Sequence, residues 1–156
     1  MTEYGNQFLE KQRIRFSYGI TERQLSNYVK EASQKKAPAE TLYEKLENRL
    51  DNVIYRMGLA NTRALARQMV SHGHIMVNKK KLNIPSYQVR VGDEISVRPG
   101  SQGKVLFQNL DKKLQNYIIP EWLKFDTGSA LGKVLGKPKN QESFLDFSTA
   151  LEFYSR

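Results

Sequence analysis

Up to Gly73 the apolar positions of the chain recur three and four residues apart, and beyond it they alternate. The first pattern predicts helices, the second short strands with one buried face. The opening stretch "YGNQFLEKQRIRFSYG" reads as a helix that stops at Gly19, a residue suited to a left-handed C-cap. "TERQLSNYVKEA" follows, with Thr21 and Gln24 in capping-box spacing and Leu25, Tyr28, Val29 and Ala32 on one face. After the polar break "SQKKAP", Leu42, Leu46, Leu50, Val53, Ile54 and Met57 form one continuous stripe, which predicts a single long helix. Thr41 and Glu44 have the spacing of a capping box for it, and Gly58 stops it. Asn61 or Thr62 then caps a shorter helix, ended by Gly73, with Leu65, Met69 and Val70 inward and Arg63 and Arg67 outward.

The alternating region predicts three strands, around Ile75 and Val77, Val89 and Val91, and Ile95 and Val97. Asn78-Lys79 and Gly92-Asp93 are the turns, and Pro99-Gly100 closes the unit. The tail is mixed. "LFQNLDKKLQNY" is compatible with a helix, "PEWLKFD" carries the only tryptophan, "GSALGKVLGKPKNQES" reads as a basic loop, and "TALEFYSR" as a short element that docks back on the body. The fold class is therefore α+β: a helical segment over residues 1–45, two helices on a small antiparallel sheet over 46–100, and an extension over 101–156 that packs on the helical segment.

Composition changes this picture in one respect. The 156 residues carry a net charge of +9, and the excess is concentrated. Between Asn52 and Gly92 there are seven lysines and arginines and no acid, whereas a solvated face ordinarily mixes both signs. A polyanionic partner is implied. There are no cysteines, so a disulfide scaffold and a thiolate metal site are excluded, and a reducing compartment is expected. No apolar run has the roughly 20 residues of a membrane span. The first residues, "MTEYGNQFLEKQ", lack the apolar core of a signal peptide, so an intracellular soluble protein is expected.

The stretch "RALARQMVSHGHIMVNKKK" (63–81) holds five of the basic residues and both histidines. Arg63 and Arg67 project from a helix, His72 and His74 flank the helix–strand joint, and Lys79, Lys80 and Lys81 crowd a hairpin tip. A hairpin folded beside the helix would bring them onto one surface. Guanidinium groups bind phosphate through two parallel hydrogen bonds and ammonium groups add point charge. The helix N-terminus at Thr62 adds backbone donors. Asn61, Thr62, Gln68 and Asn78 have the reach for sugar hydroxyls or base edges. The pattern predicts a nucleic-acid surface. A helix end beside a hairpin suits folded RNA better than the DNA major groove. A membrane surface fits less well, because the helix has no large exposed apolar face.

Other chemistry is weaker. His72 and His74 have no cysteine or acid nearby in sequence to complete a metal site, so no metal or other cofactor is expected. "GSALGKVLGKP" fails the spacing of a phosphate-binding loop, since three residues separate its glycines. "RLD" (49–51) resembles the catalytic triplet of pseudouridine synthases, whose aspartate is the nucleophile. Here it sits inside an amphipathic helix, and Asp51 is expected to pair with a neighbouring base or to pack at the helix–sheet junction.

"LENRLDNVIYRMGLANTRALARQMVSHGHIMVNKKKLNIPSYQVRVGDEISV" (46–97) resembles the alpha-L type RNA-binding domain of several translation proteins. The flanks "YGNQFLEKQRIRFSYGITERQLSNYVKEA" and "PEWLKFDTGSALGKVLGKP…LEFYSR" narrow the resemblance to the small-subunit ribosomal protein four family, over nearly the whole chain. The resemblance implies a non-enzymatic structural protein that binds small-subunit rRNA at a multi-helix junction, nucleates assembly and lines the mRNA entry channel beside neighbouring small-subunit proteins. It implies residence in a bacterial ribosome, or in that of an organelle of bacterial descent. The RNA-facing positions it implies are Lys11, Arg13, Arg15 and Tyr18 in the first segment. In the alpha-L region they are Asn61, Thr62, Arg63, Arg67, Gln68, His72, His74, Asn78, Lys79, Lys81, Ser86 and Tyr87.

Three departures from the family pattern stand out. The chain begins without the basic N-terminal extension usual in bacterial members, which sometimes carries zinc-binding cysteines, so zinc is not expected. The hairpin reads Asn78-Lys79 where Asn-Gly or Asp-Gly is common, a change that weakens a type I′ turn. The first segment has "RFSYG" where relatives often have consecutive arginines, so RNA contact there is expected to be thinner. The alternatives are a free-standing RNA-binding chaperone of ribosomal particles, which lacks such flanks, and a relative of the pseudouridine synthases.

Overall fold

The computed structural model describes residues 2–139 and 144–155. It divides into two compact units, Met1–Glu47 with Pro138–Arg156, and Asn48–Lys137. Seven α-helices and a five-stranded antiparallel sheet lie among the described residues, an α+β arrangement.

The first unit is helical. α1 (Glu3–Tyr18) is capped by Thr2, and Gly19 ends it at φ 68°. α2 (Glu22–Ser33) has both hydrogen bonds of the Thr21–Gln24 capping box. α3 (Pro38–Glu47) starts with proline rather than at Thr41, which lies within the helix, so the second capping box does not form. α7 (Phe147–Tyr154) is capped by Asp146 and packs against α1, α2 and α3. Its Phe147 and Ala150 join Ile14, Tyr18, Leu25, Val29, Leu42 and Leu46 in one core. The docking of "TALEFYSR" is thus by a helix, and the end of the basic loop, 140–143, lies outside the described residues.

The long helix expected from the stripe at 42–57 is two helices. α3 ends at Glu47, Arg49 is extended (φ −62°, ψ 137°), and α4 (Leu50–Arg56) restarts. The interruption is imposed from a distance. Arg49 bridges Gln88, the Asn48 carbonyl accepts from Val89 N (2.8 Å), and Leu50 N donates to Tyr87 O (2.9 Å). Leu42 and Leu46 serve the first core, whereas Leu50, Val53, Ile54 and Met57 serve the second.

In the second unit α5 (Arg63–Ser71) is capped by Thr62 and followed by Gly73 at φ 79°. β1 (Ile75–Val77) pairs with β2 (Lys80–Lys81) and β3 (Glu94–Val97). Asn78 and Lys79 both have positive φ (52° and 68°), the geometry of a two-residue type I′ turn made without glycine. The strand expected at 89–91 does not form. Val89 is buried, but Val91 is 59% exposed, and the segment has only the Arg49–Gln88 bridge beside it.

The sheet also continues where the unit was expected to close. After two short 3₁₀ turns (Pro99–Ser101 and Val105–Phe107) and α6 (Leu110–Leu114), β4 (Leu123–Asp126) and β5 (Leu131–Val134) complete the order β2-β1-β3-β5-β4. Residues 101–137 thus lie in the compact unit that holds the sheet, and Pro138–Arg156 in the unit of the first three helices. The inner positions Ile75, Val77, Ile95, Val97, Leu123 and Val134 share a core with α4 and α5. Burial of each such aliphatic side chain contributes about 1.5–3 kcal/mol. Gly132 holds an inner position because a Cβ there would lie 2.7 Å from Met57 Cε and 3.0 Å from the Lys124 carbonyl.

Candidate nucleic-acid interface

The helix α5 presents Arg63 and Arg67 one turn apart, and α4 orients both. Arg63 Nε donates to Asn52 Oδ1 (2.9 Å), and its guanidinium lies 4.5 Å from the Tyr55 ring centre. Arg67 Nε lies 3.5 Å from Asp51 Oδ2, with its side chain 37% exposed. Asp51 is itself buried and takes a fork from Arg49, Nε to Oδ1 at 3.1 Å and Nη2 to Oδ2 at 2.9 Å, and the Asn52 N–H (2.7 Å). The acid missing from the basic stretch thus arrives from α4, but as a buried group that holds arginines from behind. Asp51 pairs with a neighbouring base, as expected, and its place inside two ion pairs does not suit a nucleophile.

The second group of cations gathers where α5 meets the sheet. His72 is the exposed C-cap of α5, and its ring centre is 6.4 Å from that of His74. The Lys81 side chain lies over Gly73, where a Cβ would meet its Cε at 2.5 Å. His74 Nδ1 is 2.8 Å from Ser101 Oγ, and its ring meets Phe107 edge-on. Desolvation, followed by the charges of Lys104, Arg98, His72 and Lys81, lowers the His74 pKa below the ordinary 6.5. Arg98 Nη2 reaches Ser101 Oγ at 3.4 Å. Arg98, Ser101 and Lys104 were not read from the sequence. The small-residue turn "RPGSQGK", with a base at each end, was the available signal.

The remaining positions divide. Asn61, Thr62 and Gln68 are exposed on α5 or just before it, and Lys79 and Ser86 are exposed in turns. The Thr62 hydroxyl accepts from Leu65 N (3.0 Å) as a helix cap. Asn78 and Tyr87 are held by one acid: Asn78 Nδ2 donates to Asp93 Oδ1 (3.0 Å), and Tyr87 Oη to Asp93 Oδ2 (3.4 Å). Burial and Asp93 raise the Tyr87 pKa. Asn78 Oδ1 also accepts from Glu94 N (2.9 Å), so this side chain fastens the hairpin.

In the first unit two of the side chains expected to face RNA turn inward. Lys11 is only 7% exposed, with its ammonium 2.9 Å from Glu22 Oε2 and over the rings of Phe8 and Phe153. Tyr18 is buried and donates to Glu47 Oε2 at 2.5 Å. Both face inward because they sit on the α1 stripe that includes Ile14. Arg13 remains exposed beside Glu10, and Arg15 is half-buried, bonded to Gln12 and stacked at 4.6 Å on Phe16. Among the described residues no cluster of three or more histidines, cysteines or acids is placed to hold a metal, and no helix is long and apolar enough to cross a membrane.

Two helices, one presenting a pair of arginines, packed on an antiparallel sheet with a basic hairpin, form the part of the chain that matches the S4 domain. Residues 48–95 match the S4 domain family, and residues 1–51 match the ribosomal protein S4/S9 N-terminal domain. The small ribosomal subunit protein uS4 of Roseiflexus sp. (strain RS-1) is 45% identical, over 100% of this chain and 78% of the relative. The uS4 of Natranaerobius thermophilus is 46% identical over 99% of this chain and 76% of its own, and that of Aquifex aeolicus 41% over 100% and 77%. The chain belongs to the uS4 family of small ribosomal subunit proteins.

Proposed function

We infer that the chain is a structural constituent of the small ribosomal subunit that binds its rRNA directly. The observation that carries this reading is the pair Arg63 and Arg67, held by Asn52 and Asp51 on a helix next to an exposed lysine-rich hairpin. Side chains fixed in advance lose little entropy when they take phosphates, and their planar forks match phosphate geometry. The RNA-facing set is Asn61, Thr62, Arg63, Arg67, Gln68, His72, His74, Lys79, Lys81 and Ser86, with Arg13 and Arg15 from the first unit. Asn78 and Tyr87 act on it through Asp93.

The finer reading follows the family. The protein holds several rRNA helices at a junction during assembly, lies beside neighbouring small-subunit proteins and borders the path by which mRNA enters. Its role is structural and non-enzymatic, which the buried pairing of Asp51 supports. Its place is the ribosome of the bacterial cytoplasm, in keeping with the bacterial uS4 relatives.

Gradient sedimentation of a lysate at moderate salt tests this reading. Co-sedimentation with small subunits and whole ribosomes, retained through a salt wash, is expected. Sedimentation at the top, or with large subunits alone, would replace it with a free-standing chaperone.

A further inference from the structure

The turn after β3 carries cations that neither the α5 surface nor the hairpin tip accounts for. Arg98 N donates to the His74 carbonyl (2.8 Å), Ser101 N to the Arg98 carbonyl (2.8 Å) and Lys104 N to the Ser101 carbonyl (3.0 Å), so the turn is fastened to the start of β1. Ser101 is fully buried, and its Oγ lies between His74 Nδ1 and Arg98 Nη2. Among the described residues Arg98 Nε is buried with no hydrogen-bond partner, and the ammonium groups of Lys81 and Lys104 have no acid partner. The charges bearing on His74 come from β2, from the end of β3, from the turn and from the C-cap of α5. They are Lys81, Arg98, Lys104 and His72, and none is a carboxylate.

Lys81, Arg98 and Lys104 around one imidazole repel each other, and a cluster of this kind is relieved by an anion. We propose that the turn from Arg98 to Lys104 is a backbone-phosphate subsite of the RNA surface, in which Lys104, Arg98, Lys81 and the Nε2 edge of His74 hold a phosphate while Ser101 positions them. This deepens the rRNA-binding reading and rests on it.

Ser101 suits the task because its hydroxyl accepts from Arg98 while still donating to, or accepting from, His74 Nδ1. The imidazole is therefore anchored in either protonation state. A phosphate beside Nε2 favours the imidazolium, which the free protein disfavours, so binding takes up a proton. Affinity for RNA then rises as pH falls through the ordinary histidine range.

The test is titration of the full chain with a small-subunit rRNA fragment at several salt concentrations and pH values. Lys104→Gln, at an exposed position, is expected to make the log–log salt slope shallower by about 0.7–0.9, as one lost phosphate contact does. Arg98→Gln should do the same. His74→Gln should reduce the gain in affinity that the unmodified chain shows between about pH 7.5 and about pH 6. An unchanged slope in Lys104→Gln, or a pH profile that His74→Gln leaves unaltered, would overturn the subsite while rRNA binding stands. Failure of the unmodified chain to bind the fragment would overturn the rRNA reading itself, and the subsite with it.

Discussion

Asp51 holds Arg49 on one side and Arg67 on the other: its carboxylate, 1% exposed, takes Arg49 Nη2 at 2.9 Å and stands 3.5 Å from Arg67 Nε. One residue therefore joins the start of α4, where Arg49 bridges Gln88, to the exposed face of α5. Asp51→Ala leaves a buried guanidinium without its acid, and an unfolding midpoint lower by about 3–5 kcal/mol of stability is expected. Asp51→Asn keeps the shape and one acceptor, so a smaller loss is expected, together with weaker RNA binding because Arg67 loses its anchor. Denaturant titration of both variants measures the difference.

Tyr18 and Lys11 separate fold from site. Tyr18→Phe removes the 2.5 Å hydrogen bond to buried Glu47, and a loss of about 1–3 kcal/mol is expected. The salt slope of rRNA binding should not change. A shallower slope for folded Tyr18→Phe would return this residue to the RNA surface.

The hairpin tip trades stability for charge. Lys79 has φ 68°, a left-handed conformation that costs a non-glycine residue about 1–2 kcal/mol, against about 0.5–1 kcal/mol of extra backbone entropy for glycine. Lys79→Gly should raise the unfolding midpoint by up to about 1 kcal/mol and weaken RNA binding in the same protein. A gain in both would mean that the lysine has no phosphate to contact.

The folded state lowers the His74 pKa through desolvation and the cations around it. The unfolded chain then binds the proton more readily, so stability is present above the ordinary pKa of 6.5 and declines as pH falls through it. Without RNA, melting temperature should fall over that window, and His74→Gln should flatten the fall. The sign is opposite to that of RNA affinity, since a bound phosphate reverses the electrostatic environment.

Much of the helical part was legible because its signals are local. Gly19, the Thr21–Gln24 box, the Thr62 cap and Gly73 act within a few residues of the ends they define. The break at Arg49 was not, because the apolar stripe runs through it and the bonds that open it come from Tyr87, Gln88 and Val89. Val89 and Val91 alternate as a strand does, yet they form no ladder. β5 was hidden for the opposite reason. Its inner face is Gly132 and Val134, and the glycine that makes room for Met57 erases the apolar alternation. On the proposed RNA surface the arginines and lysines were legible as charge without acid, whereas the burial of Lys11 and Tyr18 and the gathering of Arg98 and Lys104 around His74 depend on tertiary packing.

The most direct measurement is a salt titration of small-subunit rRNA binding by the parent chain and by Arg63→Ala and Arg67→Ala. The parent should bind this RNA more tightly than an unrelated RNA of equal length. Each variant should bind more weakly, with a log–log salt slope shallower by about 0.7–0.9. Retention of the parent's affinity and slope by both variants would contradict an interface built on α5.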